Sequence, residues 1–218
     1  MTQDTALRYA RAVGETPRPR AGYITMRGYT MRIITGTAKG IKLNTLEGEQ
    51  TRPTAERTKE AIFSALQFDM DGRAVLDLFA GSGQMGLEAM SRGAVSAMFV
   101  DASPEAMAII KENAKKTGFF GQSRFLISDY RSYVRKAGGR DRFGLIFLDP
   151  PYATDYIDDA IERILKADLA MDGCIFVCEG AKENILEGKE ELKNKFTLLK
   201  QGRYGIAHVH ILQYKGKD

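Results

Sequence analysis

The spacing of apolar residues changes near residue 74, where the chain begins to alternate short apolar runs with amphipathic segments. Five runs rich in Val, Ile, Leu and Phe are typical of buried strands, and they begin at residues 74, 97, 123, 144 and 173. Helical periodicity follows three of these runs, over residues 84–93, 104–118 and 155–169. Strands of this composition separated by helices predict right-handed βαβ units and a parallel sheet covered on both faces.

The N-terminal part of the chain shows a different pattern. Residues 1–30 have no sustained period and predict a flexible arm. Residues 31–43 indicate a strand and a turn, and Thr54 is placed to cap the helix that follows. The apolar stripe of that helix is predicted to consist of Ile62, Ala65 and Leu66.

The C-terminal residues 195–215 indicate two strands around a tight Gly turn. This pattern predicts an antiparallel hairpin at one edge of the sheet. We therefore divide the chain into an arm (1–30), a strand-turn and helix motif (31–70) and a main domain (71–218).

Length and charge set limits on the class of protein. The chain has 218 residues, enough for one ordinary domain with an appendage. Its net charge of +4 comes mostly from residues 1–30, which hold five arginines and two acidic residues. Residues 31–218 carry 27 basic and 26 acidic side chains, so a polyanionic partner must be argued from local placement. We find neither an apolar run of membrane-spanning length nor an N-terminal signal core, which predicts a cytoplasmic protein without a membrane partner.

The cysteines and histidines do not suggest a reactive centre. Cys174 and Cys178 lie in one apolar run and are expected to be buried, reduced thiols, because two thiols without His or Cys partners make a poor metal site. His208 and His210 alternate in the last predicted strand, so they face the same side and are expected to be structural. The sequence therefore predicts no metal centre.

Acidic residues and glycines stand where the predicted strands end. Ligands of open parallel sheets bind beyond the carboxyl ends of the strands. The candidates for function are therefore Asp77 to Gly83, Asp101, Asp129 and Asp149 to Tyr152.

The glycine turn at residues 81–86, Gly-Ser-Gly-Gln-Met-Gly, allows two interpretations. It matches the pattern G-x-G-x-x-G, and Asp101 lies 20 residues after Gly81, as a ribose-binding acid of an NAD-dependent oxidoreductase would. Asp77 argues against that interpretation, because a carboxylate beside the loop repels a pyrophosphate but suits a cationic cofactor. S-adenosylmethionine carries a sulfonium and an ammonium group, and it is the cofactor we expect.

With S-adenosylmethionine as the cofactor, each of these residues has a predicted role. Gly81 and Gly83 let the backbone approach the cofactor, and Asp77 holds the loop or the methionyl end. Asp101 accepts hydrogen bonds from the ribose hydroxyls, and Asp129 accepts from the adenine amino group. Neighbours of these residues complete the predicted cofactor set: Phe79, Ala80, Ala102 and Ser128.

The fourth apolar run ends in Asp-Pro-Pro-Tyr, residues 149–152, where two prolines remove two backbone donors and fix two φ angles. An exocyclic amine is a poor nucleophile because its lone pair is conjugated into the base. Two acceptors are placed to bind such an amine: the Asp149 carboxylate and the carbonyl of Pro150, whose position Pro151 stiffens. By accepting hydrogen bonds from the two N–H groups of the amine, they direct its lone pair at a methyl carbon. Tyr152 offers a ring on which a flipped base stacks. The motif therefore predicts methylation of an amine.

Several motifs in this order resemble a known family. They are "MRIITGTAKGIKL", "TRPTAERTKEAIFSAL", "VLDLFAGSG", the acid of "FVDAS", "SD" at 128–129, "FLDPPY" and the late "RYG". With them, residues 31–218 resemble the RsmD-type bacterial 16S ribosomal RNA (guanine-N2)-methyltransferases.

The resemblance implies a fold, a substrate and an RNA-binding segment. The fold is α/β, a Rossmann-like class I methyltransferase with a mostly parallel seven-stranded sheet, a C-terminal antiparallel hairpin and a small N-terminal strand and helix extension. The substrate is the N2 amine of a guanine in 16S rRNA, within the 30S subunit or its assembly intermediate. Arg52, Thr54 and Arg57 fall in the motif that precedes the family's catalytic domain. The RNA-binding residues expected from this placement are Arg32, Lys39, Arg52 and Arg57, with Lys42 and Lys59 in the same basic segment.

The chain departs from the family pattern after the fifth predicted strand. The family commonly has Glu-His-Ser there, whereas this chain has Glu179, Gly180 and Ala181. Three alternatives stay open: a DNA adenine or cytosine amino-methyltransferase, an NAD-dependent oxidoreductase, and a non-catalytic rRNA-binding assembly factor. The absence of a separate target-recognition domain disfavours sequence-specific action on DNA.

Overall fold

The computed structural model describes residues 31–46, 53–151 and 155–217, with the backbone alone at 53–55. Predictions for the arm, Arg52 and Tyr152 therefore lie outside the described residues. The strands are β1 (Ala74–Asp77), β2 (Ser96–Asp101), β3 (Ser123–Ile127), β4 (Phe143–Leu148), β5 (Ala170–Gly180), β6 (Phe196–Tyr204) and β7 (Ala207–Tyr214). The α-helices are α1 (Pro53–Ala65), α2 (Gln84–Ser91), α3 (Pro104–Thr117), α4 (Tyr130–Ala137), α5 (Tyr156–Lys166) and α6 (Glu190–Lys193).

The strands form one seven-stranded sheet in the order β3-β2-β1-β4-β5-β7-β6. Strands β1 to β5 are parallel, β7 runs antiparallel to β5, and β6 pairs with β7 as a hairpin. The predicted parallel sheet and its C-terminal hairpin are confirmed. The chain reverses its direction of travel across the sheet between β1 and β4, and such switch points open a crevice for ligands.

Helices cover both faces of the sheet and make two apolar cores. Helices α4 and α5 pack on one face, over Ile146, Leu148 and Phe176. Helices α1, α2 and α3 pack on the other face, over Val75 and Phe147. Every residue of β4 is buried, as expected for a central strand that helices cover on both sides.

The structure differs from the sequence predictions at four elements. Helix α4, between β3 and β4, and helix α6, between β5 and β6, were not predicted. Residues 31–43 form a turn closed by an antiparallel bridge between Arg32 and Lys42 rather than a regular strand. Helix α1 begins at Pro53, so Thr54 lies inside its first turn and not at the cap. Ala65 is exposed, and the buried stripe consists of Ile62, Phe63 and Leu66.

The N-terminal segment, residues 31–46, docks on α2 through the carboxylate of Glu88. This side chain is fully buried and accepts hydrogen bonds from the Ile34 and Thr35 amides at 2.7 and 3.0 Å. Lys59 Nζ lies 3.7 Å from the same carboxylate and donates to the Arg32 carbonyl at 2.6 Å. Lys59 is only 3% exposed, and burial lowers its pKa. The expectation that Lys59 contacts RNA is therefore wrong, because its ammonium group is enclosed by the protein.

Both cysteines are free and buried, which confirms that prediction. Burial raises the pKa of the Cys174 thiol to about 12 and also raises that of Cys178. His210 is buried, and its Nε2 donates to the Glu183 carbonyl at 2.9 Å, which supports a structural role. Among the described residues, no helix has the length and apolar character needed to cross a membrane.

Candidate active site

The carboxyl ends of four parallel strands bring the predicted acids to one edge of the sheet. Asp77 ends β1 and pairs in register with Phe99 of β2 and Phe147 of β4. Asp101 ends β2, while Asp129 and Asp149 follow β3 and β4. The expectation that these residues share one edge is therefore met, and this edge contains the switch point between β1 and β4.

The loop from Leu78 to Gly83, which we call the glycine loop, connects β1 to α2. Its Leu78 amide donates to the Phe147 carbonyl at 3.2 Å, and its Ala80 amide donates to the Val100 carbonyl at 3.1 Å. These bonds attach the loop to β4 on one side and to β2 on the other. The φ angle of Gly83 is +77°, in the left-handed region where glycine carries no penalty, and α2 starts at the next residue.

Asp101 clamps the glycine loop to the end of β2. One carboxylate oxygen accepts from the Gly81 amide at 2.8 Å, and the other accepts from the Ser103 amide at 2.8 Å. A carboxylate has about four acceptor sites, so each oxygen can take a further hydrogen bond. The predicted ribose contact is thus compatible with these bonds. Ala102 is exposed beside Asp101, and the Ser128 amide donates to the Asp101 carbonyl at 2.9 Å.

Asp77 is a buried carboxyl group under the first turn of α2. It is 3% exposed, and its Oδ2 accepts from the Gly86 amide at 3.0 Å. Burial raises its pKa to about 7; the bond from Gly86 acts against this shift, and the charge of Asp101 adds to it. A cation near Asp77 would favour the ionised form, whereas a pyrophosphate would oppose it. The site therefore fits a cationic cofactor better than a dinucleotide.

The third glycine of the G-x-G-x-x-G pattern has a packing role. A Cβ at Gly86 would lie 2.4 Å from Cε1 of Phe99, so only glycine lets α2 approach β2 this closely. Helix packing therefore explains the glycine at position 86, and this part of the G-x-G-x-x-G pattern does not require a dinucleotide.

Asp129 is the N-cap of α4. Its Oδ1 accepts from the Ser132 amide at 3.0 Å, and the bonds to Ser132 hold the pKa of this exposed carboxyl group below its usual value. Ser128 Oγ donates to the Asp129 carbonyl at 3.0 Å. The structure thus assigns Asp129 a capping role, and its contact with adenine stays a prediction.

The Asp-Pro-Pro segment begins where β4 leaves the core. Leu148 is fully buried, whereas Asp149 is exposed at the edge of the sheet, Pro150 is buried and Pro151 is exposed. Pro150 and Pro151 line a small surface cleft together with residues at the end of β5 and the start of α5. A base that approaches Asp149 therefore has a concave surface beside it.

Two tyrosine rings contact Phe79 of the glycine loop from the face covered by α4 and α5. The ring centroid of Phe79 lies 5.2 Å from that of Tyr130 and 6.4 Å from that of Tyr156. Phe79 is half-buried and packs against the core on this face. Its contact with the cofactor stays a prediction. Tyr130 and Tyr156 were not predicted as site residues, although each follows an apolar run that predicts a strand.

Asn113 is a further site residue that the sequence analysis missed. It is fully buried on α3, and its Nδ2 donates to the Ser82 carbonyl of the glycine loop at 2.9 Å. The same amide exchanges hydrogen bonds with the Asn44 backbone at 2.8 and 3.0 Å. Asn113 therefore connects the glycine loop to the N-terminal segment. The available signal was a polar residue on an apolar helix face, between Ile110 and Thr117.

The predicted RNA-binding residues within the described ranges are on the surface. Arg32, Lys39 and Arg57 are exposed, and Arg32 forms an ion pair with Glu56 at 3.3 Å. They are accessible to a polyanion, and their RNA contacts stay predictions. In the parts of the chain that the structure describes, no group of three or more His, Cys, Asp or Glu side chains could hold a metal ion.

Comparison with known proteins gives consistent matches over almost the whole described chain. The family described as conserved hypothetical protein 95 matches residues 31–213. The chain is 33% identical over 187 residues to the Bacillus subtilis protein named "Putative rRNA methyltransferase YlbH", a match that covers 85% of this chain and 100% of that protein. It is 29% identical over 184 residues to the Haemophilus influenzae protein named "Ribosomal RNA small subunit methyltransferase D", covering 84% and 93% of the two chains.

A solved structure extends this similarity to three dimensions. The structure titled "Putative methyltransferase yhhF from Escherichia coli" superposes with a TM-score of 0.75 at 25% identity. The superposition covers 87% of this chain and 100% of the other. The seven-stranded order with a C-terminal antiparallel hairpin is therefore shared, and it is the class I methyltransferase fold.

Proposed function

Since the chain belongs to the conserved hypothetical protein 95 family of RsmD- and YlbH-type S-adenosylmethionine-dependent methyltransferases, we propose that it methylates the N2 amine of a guanine in 16S ribosomal RNA. The names of the Bacillus and Haemophilus relatives support ribosomal RNA as the substrate class. A ribosomal substrate would place the enzyme in the cytoplasm, acting on the 30S subunit or its assembly intermediate.

The observation that carries the proposal is the position of Asp149 and Pro150 next to the glycine loop. Both follow β4 directly, and the Leu78 amide of the loop donates to the Phe147 carbonyl of β4 at 3.2 Å. A base amine at Asp149 is therefore close to whatever the loop holds. The buried carboxyl of Asp77 supports a cationic occupant of that loop.

The chemistry follows from the two acceptors. S-adenosylmethionine supplies an electrophilic methyl group when it is bound. The Asp149 carboxylate and the Pro150 carbonyl accept hydrogen bonds from the two N–H groups of the guanine amine. These bonds direct the nitrogen lone pair toward the methyl carbon. As the C–N bond forms, the methyl carbon would lose its bond to the sulfonium sulfur, leaving a neutral thioether as the cofactor product. The nitrogen is then cationic, and its extra proton leaves to Asp149 or to water. Tyr152 stacks on the flipped base. Pro151 keeps this edge rigid.

The cofactor is held by the strand-end residues. Gly81 and Gly83 let the loop backbone approach it, Asp101 accepts from the ribose hydroxyls and Asp129 from the adenine amine. The remaining contacts come from Phe79, Ala80, Ala102 and Ser128. Arg32, Lys39, Arg52 and Arg57 contact RNA phosphates.

Methyl transfer from labelled S-adenosylmethionine tests the substrate. The wild-type protein is incubated in parallel with 30S subunits, naked 16S rRNA and DNA, and the labelled nucleoside is identified. We expect N2-methylguanosine from a ribosomal substrate. A methylated adenine, or label in DNA alone, would overturn the proposal.

Two substitutions separate catalysis from folding. Asp149→Ala is expected to abolish methyl transfer and leave S-adenosylmethionine affinity, measured by calorimetry, nearly unchanged. Asp172→Ala is the control, because Asp172 is exposed near the opposite end of β5. Wild-type methylation by Asp149→Ala would contradict the role of the carboxylate. Calorimetry with NAD tests the alternative that the protein is an NAD-dependent oxidoreductase. That alternative requires tight binding of NAD and no binding of S-adenosylmethionine.

A further inference from the structure

Two arginines on neighbouring helices share one carboxylate oxygen. Arg131 of α4 donates through Nε to Asp159 Oδ2 at 3.0 Å, and Arg163 of α5 donates through Nε to the same oxygen at 2.8 Å. The Tyr130 hydroxyl also donates to this oxygen at 2.6 Å. These donors hold the pKa of Asp159 far below its usual range, so the carboxylate stays ionised. We call Arg131 and Arg163 the arginine pair.

Within the described residues, the hydrogen bonds of the arginine pair use only the Nε of each guanidinium group. A guanidinium has five N–H donors, of which Nε supplies one. The terminal nitrogens of both arginines make no hydrogen bond within the described residues, and the side chains are 55% and 45% exposed. Two guanidinium charges against one carboxylate leave an excess of one positive charge. Paired forks of this kind match the oxygens of a phosphate group.

Aromatic rings fix the orientation of the first guanidinium. Cζ of Arg131 lies 5.3 Å from the Tyr130 ring centroid and 5.8 Å from the Tyr156 centroid. Both rings also contact Phe79 of the glycine loop. The arginine is therefore held in place before any ligand arrives, which reduces the side-chain entropy lost on binding.

The carboxylate that the arginine pair shares lies near the edge of the sheet where chemistry is proposed, because Asp159 is in the first turn of α5. Arg163 is in the last turn of α5 and extends back toward that edge to reach Asp159. Arg131 is the second residue of α4, which begins directly beyond the carboxyl end of β3. Tyr156 starts α5, which follows the Asp-Pro-Pro segment. S-adenosylmethionine carries no phosphate, so a phosphate site at this edge belongs to the substrate and not to the cofactor.

We propose that Arg131 and Arg163 bind a backbone phosphate of the substrate RNA close to the flipped nucleotide. The inference rests on the proposed function, because the ligand is the backbone of the RNA that is methylated. It adds a phosphate contact on α4 and α5 to those expected on the N-terminal segment. The two contact regions lie on opposite faces of the sheet, since α1 packs on the face away from α4 and α5.

The test compares two double variants with matched exposure. Arg131→Met/Arg163→Met removes the pair. Arg124→Met/Arg142→Met is the control, because these arginines are 59% and 47% exposed, are also paired with carboxylates, and lie at the amino ends of β3 and β4. Binding of 16S rRNA and of 30S subunits is measured over a range of salt concentrations, and kcat and KM are measured by methyl transfer.

Loss of the pair is expected to raise KM for the RNA about tenfold, with kcat and S-adenosylmethionine affinity within about twofold of wild type. The slope of log affinity against log salt should fall by about 0.7 to 0.9, the value for one phosphate contact, while the control keeps the wild-type slope. A charge-conserving variant, Arg131→Lys/Arg163→Lys, should keep that slope.

Equal RNA binding by the two methionine variants would overturn the phosphate site, as would a lysine variant whose slope falls as far as that of the methionine variant. A change in S-adenosylmethionine affinity without a change in RNA affinity would also overturn it. Failure of the proposed function is a separate outcome, since it shows as the absence of N2-methylguanosine in reactions of the wild-type protein.

Discussion

Two glycines in the turn of the N-terminal segment provide a controlled test of how this segment docks. Gly36 and Gly40 have φ angles of +89° and +84°, so an alanine at either position adopts a strained backbone. A Cβ at Gly36 would lie 1.7 Å from the Ser91 carbonyl oxygen, whereas a Cβ at Gly40 would meet no atom within 4 Å. Gly36→Ala therefore disrupts the contact with α2, and Gly40→Ala does not.

The difference in stability can be worked out from the contacts. Positive φ costs each variant about 1 kcal/mol. Gly36→Ala also separates the Thr37 amide from the Ser91 carbonyl, at 2.8 Å, and the Ala38 amide from Ser91 Oγ, at 3.0 Å. Each lost bond costs about 1 kcal/mol, and a buried group left without a partner costs more. We expect a loss of about 3 to 5 kcal/mol for Gly36→Ala and about 1 kcal/mol for Gly40→Ala.

Urea unfolding measures both free energies, and hydrogen exchange at Thr37 and Ala38 shows where the structure opens. Gly36→Ala should speed exchange at these two amides, while Gly40→Ala should leave them protected. If the two variants lose the same free energy, or if the amides stay protected in Gly36→Ala, the segment is not held by Ser91 as the geometry indicates.

Three further predictions use buried polar groups. The pKa of Asp77 is about 7 in the folded chain and 3.8 when unfolded, so between these values only the folded chain binds the proton. As the pH rises from 5 to 7, the free energy of unfolding of the wild type should therefore fall by about 2 to 3 kcal/mol relative to that of Asp77→Asn. Parallel pH profiles in urea titrations would refute this. Because burial raises the pKa of Cys174 and Cys178, iodoacetamide should label them only as fast as the protein unfolds; rapid labelling of native protein would contradict their burial. Asn113→Ala should weaken S-adenosylmethionine binding several-fold, because the glycine loop loses a donor, whereas Asn184→Ala, an exposed control, should not; equal affinities in calorimetry would disprove this positioning.

The sheet was predictable because each parallel strand is a short apolar run, and the hairpin because two such runs flank a tight glycine turn. Helix α4 was missed for a physical reason. It has eight residues and starts at Tyr130, directly after Asp129. An aspartate at a strand end is compatible with a ligand contact and with an N-cap. When Asp129 is interpreted as a ligand contact, it no longer serves as the start signal of a helix.

The shared edge of the candidate site was also predictable, because carboxyl ends of parallel strands meet. The internal bonds were not. Asp101 accepts from the Gly81 amide only because β1 and β2 pair with Asp77 opposite Phe99. Register is set by packing over the whole sheet and cannot be read from the 20 residues between donor and acceptor.

The buried position of Lys59 could have been predicted from its spacing along helix α1. The sequence analysis placed it with neighbouring charges as a candidate RNA contact, although it precedes Ile62 by three residues and Phe63 by four, and so lies on the same helix face. A lysine on an apolar stripe is stable as an ion only with a buried partner, and Glu88 is that partner, 3.7 Å away. Arg57 is exposed, so the same helix divides its cations between a structural face and a face open to RNA. Lys59→Met should therefore lower the free energy of unfolding, measured in urea, without changing the salt dependence of RNA binding. Arg57→Met should reduce that salt dependence and leave the free energy of unfolding nearly unchanged.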